Sequence, residues 1–225
     1  MSYLESAVNI TIKTLTGIAC KVDSNEIAKV PTQGPLIIVT NHINFIEVPL
    51  VYVYLQPRPL TGYVKVETWD NPVFSLLFDL WEAIPVRRGE ADIGAIKEGV
   101  RALKSGQILA VAPEGTRSKH GRLQKGYPGV TMVALMSGAP ILPLAYYGNE
   151  HLWNNVKRLK RTDFNIKVGS CFCLDSRGQK VDREIRLQMT AEIMYQIAGL
   201  LPPENRGIYA DLNNATSQYL NFDCA

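Results

Sequence analysis

Nowhere in the 225 residues is there an unbroken apolar run of the roughly 18 needed for a membrane-crossing helix, so no spanning helix is expected. The start lacks the basic stretch, apolar run and small-residue cleavage site of a secretory signal, which favours a chain that is not exported. Charge of one sign is also scarce. Twenty-four Lys+Arg against 21 Asp+Glu leave +3, too little to argue for a nucleic-acid partner, though compatible with an anionic membrane surface. Cysteine occurs at 20, 171, 173 and 224 without a second Cys or His pair at metal-ligand spacing. No metal is expected, and the four read as buried or surface thiols in a reducing compartment. The chain has no GxxxxGK[ST] loop, internal repeat or low-complexity segment, which excludes a nucleotide P-loop and a solenoid. His120 and His151 lie in polar segments and are assigned no role.

What is present fits one domain with a sizeable core: 46% of residues are apolar and 20% charged. Leu4, Val8, Ile12, Leu15 and Ala19 recur at helical spacing and predict an N-terminal amphipathic helix ending near Lys21. It either packs on the domain or lies in a membrane interface. Residues 1–30 are this helix and its connector, 31–203 the main domain, and 204–225 a polar tail with few apolar anchors. Leu36-Ile37-Ile38-Val39-Thr40 reads as a buried strand, followed by a helix over about 46–55. A strand over 60–66 precedes Asn71-Pro72, which opens an apolar helix through Trp81. A short strand at 84–87, a helix from Asp92 to Ser105-Gly106 and a strand at 108–112 come next. A helix over 128–137, strands at 140–146 and 164–174, and a long helix from Asp182 to Pro202 complete the pattern. Alternating strands and helices predict an α/β fold: a mixed, mostly buried sheet flanked by helices.

Two blocks carry chemistry. In Asn41-His42-Ile43-Asn44-Phe45-Ile46-Glu47 a base and a carboxylate stand five positions apart just past a strand end, where α/β sheets place functional groups. On a regular helix the two side chains would diverge by about 140°. They meet only if His42 lies in the turn before the helix and Glu47 in its first turn. Asn44 to Glu47 is also a capping box, so Glu47 can serve the helix terminus instead. In Ala112-Pro113-Glu114-Gly115-Thr116-Arg117-Ser118 a glycine-hinged loop offers hydroxyls, an acid and a guanidinium suited to phosphate. Between the blocks, Ile84-Pro85-Val86-Arg87-Arg88-Gly89 is a second cationic turn. A basic run at Lys157, Arg158, Lys160 and Arg161 reads as a solvated face, with anionic lipid as the alternative.

The order of these blocks, with Pro140-Ile141-Leu142-Pro143 after them, resembles the glycerophosphate and lysophospholipid acyltransferases over roughly Pro31 to Gly148. The resemblance implies a catalytic pair, His42 and Glu47, in an H-x4-acid block that usually ends in Asp. It implies phosphate or acceptor binding by Lys65, Arg88, Glu114, Gly115, Thr116 and Arg117, with Lys125-Gly126 a weaker match. Arg88, rather than Arg87, falls on the family's arginine. Glu114 would orient Arg117 or bind acceptor hydroxyls. The implied reaction moves an acyl group from acyl-CoA or acyl carrier protein to a lysophospholipid hydroxyl, giving phosphatidic acid from 1-acylglycerol 3-phosphate. No tightly bound cofactor is implied, and the implied location is peripheral, on the cytoplasmic side of a membrane. Glu for Asp moves the carboxylate by roughly an ångström, a change that can cost about a hundredfold in rate. That keeps another lipid hydroxyl as acceptor, a thioester hydrolase and a non-catalytic lipid- or phosphate-binding module in play.

Overall fold

The computed structural model describes residues 3–87 and 92–224. The chain opens with α1 (Tyr3–Ala19) and β1 (Cys20–Asp23), then β2 (Leu36–Thr40), α2 (Glu47–Tyr54) and β3 (Leu60–Lys65). Next come α3 (Pro72–Leu80), β4 (Ile84–Val86), α4 (Ile93–Lys104), β5 (Ile108–Val111) and α5 (Gly129–Ser137). The remainder is β6 (Ile141–Tyr147), α6 (Leu152–Lys157), β7 (Thr162–Val168), β8 (Cys173–Leu174), α7 (Arg183–Leu200) and β9 (Leu220–Asn221).

Seven strands form one mixed sheet in the order β1-β7-β6-β2-β5-β3-β4. Among the described residues, β6–β7 is the one antiparallel pair of this sheet. The central place of β2 explains why Leu36 to Val39 are apolar without a break: Ile37 and Val39 face the core under α4, α5 and α7. Leu36 and Ile38 face the core under α1, α2 and α3. With both faces covered, alternation disappears. Asn71 caps α3 by accepting from the amides of Val73 and Phe74, with Pro72 at the first helical position. Asp92 accepts from Ala95 N at 2.9 Å and caps α4.

Four expectations need correction. First, of the two readings of α1, packing on the domain holds for only part of its apolar stripe: Ile12 and Ala19 meet the core, while Leu4 and Leu15 are 57% and 61% exposed and Asn9 and Thr16 are buried. The polar side turns inward because it finds partners there: Trp81 Nε1 donates to Asn9 Oδ1 and the Tyr52 hydroxyl donates to Glu5. Second, the connector after α1 contains β1, which pairs with β7 and so belongs to the sheet. Third, the C-terminal tail is packed, not loose. Tyr209, Tyr219 and Leu220 are buried, and β9 pairs with β8. Fourth, Cys173 and Cys224 form a disulfide across 51 residues, leaving Cys20 and Cys171 as thiols. The tail brings Cys224 beside Cys173 by the β8–β9 pairing, a contact that spacing alone does not reveal.

Candidate active site

Strands β2, β3, β4, β5 and β6 run parallel, so their C-terminal ends open on one edge of the sheet. The blocks dispersed in sequence meet there, at the place where open α/β sheets bind ligands. A cavity of about 680 Å³ lies at this edge, with His42, Glu47, Glu114, Gly115 and Thr116 in its wall. Val51, Tyr52, Leu60, Phe78 and Trp81 extend the wall as an apolar surface toward α2 and α3.

His42 occupies the irregular turn after β2, and Glu47 is the first residue of α2. Their side chains meet, Nδ1 of His42 lying 2.7 Å from Glu47 Oε2. The Glu47 carboxylate is 2% exposed. It also accepts from the amides of Ile43 at 3.1 Å and Asn44 at 2.8 Å, and from Asn149 Nδ2 at 2.6 Å. An ionised carboxylate on Nδ1 fixes that nitrogen as the donor and leaves Nε2 its lone pair. The capping-box alternative is half present. Glu47 takes the Asn44 amide, but the Asn44 side chain accepts from Ile46 N instead of from Glu47 N. One carboxylate therefore holds both the backbone turn and the imidazole.

Glu114 is 1% exposed and touches His42 from the other side. Its Oε1 accepts from His42 N and its Oε2 from Gln124 N, both at 2.9 Å. It thus braces the turn that carries His42, where the resemblance implied a partner for Arg117 or the acceptor's hydroxyls. Two inward-pointing amides and burial explain the difference. Burial pushes the Glu114 carboxyl up to about 7, against the downward pull of those amides. The same loop reaches the turn with its backbone: Ser118 N donates to His42 O at 2.7 Å and Lys119 N to Ile43 O at 3.1 Å.

Gly115 has φ +65°, so this bend favours glycine. Gly115 and Thr116 reach the cavity wall; Arg117 is exposed beside them. Lys65 ends β3 but pairs with Glu67 at 3.1 Å and stands outside the wall. Arg88 lies outside the described residues. Arg87, set aside in its favour, does line the cavity, and its amide donates to Asp92 Oδ2. Sequence reasoning missed three residues. Asn41, buried, brackets Tyr146 by donating to its carbonyl and accepting from its amide, both at 2.8 Å. Tyr146 itself lines the cavity, and its hydroxyl has no hydrogen-bond partner among the described residues. Asn149, on Glu47, follows β6 by two positions but is separated from Glu47 by 102 in sequence. Nothing local in the sequence signals that pairing.

The model of the family described as Acyltransferase matches residues 21–147, more than half of the chain. The chain belongs to the acyltransferase family. A 1-acyl-sn-glycerol-3-phosphate acyltransferase of Limnanthes douglasii is 32% identical over 140 residues, which cover 61% of this chain and 48% of that protein. One of Bacillus subtilis is 26% identical over 146 residues, covering 65% and 70%. This acyltransferase chain spans about half the length of the Limnanthes and Cocos relatives it matches. The fold is that of the 1-acyl-sn-glycerophosphate (LPA) acyltransferase PlsC from Thermotoga maritima. The TM-score to that crystal structure is 0.64, with 88% of this chain and 79% of that one covered, at 21% identity.

Proposed function

We propose that the chain transfers an acyl group from a thioester, acyl-CoA or acyl carrier protein, to a lysophospholipid hydroxyl. The acceptor we favour is 1-acylglycerol 3-phosphate, giving phosphatidic acid, in keeping with the names of the relatives. One observation carries the reading: an imidazole with Nδ1 tied to a buried carboxylate at 2.7 Å stands in the wall of a cavity that is apolar beyond it.

His42 Nε2 takes the proton of the acceptor hydroxyl as its oxygen attacks the thioester carbonyl carbon. Glu47 stabilises the imidazolium that forms and keeps the ring in place. Collapse of the tetrahedral intermediate breaks the carbon–sulfur bond, and the proton on His42 passes to the departing thiolate. Ester and thiol are the products, with no acyl-enzyme required. Thr116 and Arg87 in the cavity wall, with the exposed Arg117 next to Thr116 in sequence, would hold the acceptor's phosphate. The apolar wall at Val51, Leu60 and Phe78 suits the acyl chain.

Among the described residues no helix is long and apolar enough to cross a membrane. The substrates are lipids, so we assign the exposed apolar side of α1 to a membrane surface. Tyr3, Ile10, Leu15 and Ile18 are each more than 60% exposed there, as are Val73 and Leu76 on α3. A peripheral position on the cytoplasmic side follows from where acyl thioesters are found.

Incubation with labelled acyl thioester and a panel of lysolipids, products resolved by mass spectrometry, tests the assignment. Phosphatidic acid formed only with 1-acylglycerol 3-phosphate is the expected result. Free fatty acid released without an acceptor would make the chain a hydrolase. Tight lipid binding with no turnover would make it a binding module.

A further inference from the structure

The acyl-transfer reading gives residues 203–224 no task, yet they are fastened to the loop that braces His42. After α7 the chain turns back through two short 3-10 turns, Pro203–Asn205 and Gly207–Tyr209. They lie against residues 121–126. Leu123 N donates to Asn205 O at 3.0 Å, and Ile208 N donates to Leu123 O at 3.4 Å. Asn205 Nδ2 donates to Gly121 O at 2.9 Å and to Glu150 Oε1 at 2.8 Å. Gly126 N donates to the Tyr209 hydroxyl at 3.2 Å. The fit is close: a Cβ on Gly207 would fall 1.9 Å from Leu123 O. Farther on, buried Glu192 accepts from the Thr216 hydroxyl and from the amides of Gln218 and Tyr219. The Cys173–Cys224 disulfide then closes the strap.

Gln124 stands between the two anchored points, Leu123 and Gly126. Its amide is one of the two that hold Glu114, and the other belongs to His42. We infer that Asn205 and Tyr209 are positioning residues for acyl transfer, holding the Gln124 amide on Glu114 and thereby the backbone of His42. The inference rests on the proposed role of His42 as base.

The physical consequence is specific. Glu114 is a buried carboxylate with its pKa already raised by burial and lowered again by two amides. If Gln124 N–H withdraws, one of those two supports is lost and the carboxyl holds its proton to higher pH. The proton then sits on Oε2, the oxygen Gln124 has left, so that Oε1 meets His42 N–H as a neutral carbonyl instead of a carboxylate, and the brace on that turn weakens. The groups facing Glu114 are His42 from the turn, Glu47 from α2 and Tyr209 from the strap. A loosened strap therefore moves the acid limb of the activity profile upward, which a general loss of folded protein would not do.

Tyr209→Phe removes only the hydroxyl and keeps the ring that meets Tyr195 edge-on at 5.1 Å. Asn205→Ala removes the second tie. Each variant of the full chain is assayed for transfer against pH beside wild type and His42→Ala, and amide hydrogen exchange is followed at Gln124 and His42. The expected result is faster exchange at both amides, a kcat about tenfold lower at an unchanged KM, and an acid limb raised by about half a pH unit. In a Glu114→Gln background the same substitutions should leave the limb where it is. Unchanged exchange at Gln124 and His42 in a folded Tyr209→Phe protein overturns the inference, whether or not the protein is active. Wild-type protein without His42-dependent transfer would overturn the functional reading instead, and the exchange data would still decide the strap.

Discussion

Glu47 bonds His42, Asn149 and the amides of Ile43 and Asn44 at once, so the length of its side chain is part of the site's geometry. Each of those partners is placed for a side chain of glutamate's length. Glu47→Asp is therefore expected to lower kcat, although it restores the residue usual in this family. Retraction by roughly an ångström separates the carboxylate from partners on both oxygens, a misplacement that costs about a hundredfold. Steady-state kinetics at saturating acceptor measure it, and wild-type activity would show that the turn adapts. Glu114 makes a separate prediction about stability. Its carboxyl has an ordinary value of 4.5 in the unfolded chain and about 7 when folded. Between those values the folded protein keeps a proton that the unfolded chain releases, so this group's contribution falls as pH rises from 4.5 to 7 and is level above. The difference is on the order of 3 kcal/mol. Urea unfolding at pH 5 and pH 8 should show that decline in wild type and not in Glu114→Gln. Parallel profiles would refute it.

Elements were legible in proportion to how much of their environment is local. β2 announced itself by five successive apolar or β-branched residues, because both faces of a central parallel strand are covered. The caps at Asn71 and Asp92 could likewise be read, since the partners are two or three residues away. For α1 the helical period could be read, but which side faces the domain could not. A tertiary preference decides which side of an amphipathic helix is buried, and here Asn9 and Thr16 are the buried side. That orientation leaves Leu15 and Ile18 outward, at 61% and 67% exposure. Changing both to Glu should cut binding to phospholipid vesicles by more than about tenfold, since each buried aliphatic side chain contributes about 1.5–3 kcal/mol. Flotation with vesicles measures this while circular dichroism checks the helix. Unaltered binding would place the membrane contact elsewhere, with α3 the next surface to test.

At the scale of the whole molecule, the sheet order converts four separated stretches of chain into one edge. His42, Glu114 and Arg87 follow β2, β5 and β4, and Asn149 follows β6. The contact between His42 and Glu47 was readable because the two residues are near neighbours and chemically distinctive. Asn149, Gln124 and the strap were not, because their ties to the site span distances over which a single sequence carries no register. The same holds for the Cys173–Cys224 bond, whose partners meet only after the tail has crossed back to β8. Titration of the unfolded, unreduced protein should accordingly find two free thiols, Cys20 and Cys171, and a count of four would contradict the disulfide. In the proposed reaction one imidazole, held by one carboxylate, removes the acceptor's proton. Its most direct test is the rate of phosphatidic acid formation from acyl thioester and 1-acylglycerol 3-phosphate by wild type and a folded His42→Ala protein. A loss of at least about a thousandfold is expected, with thermal unfolding unchanged. Activity within tenfold of wild type would contradict it.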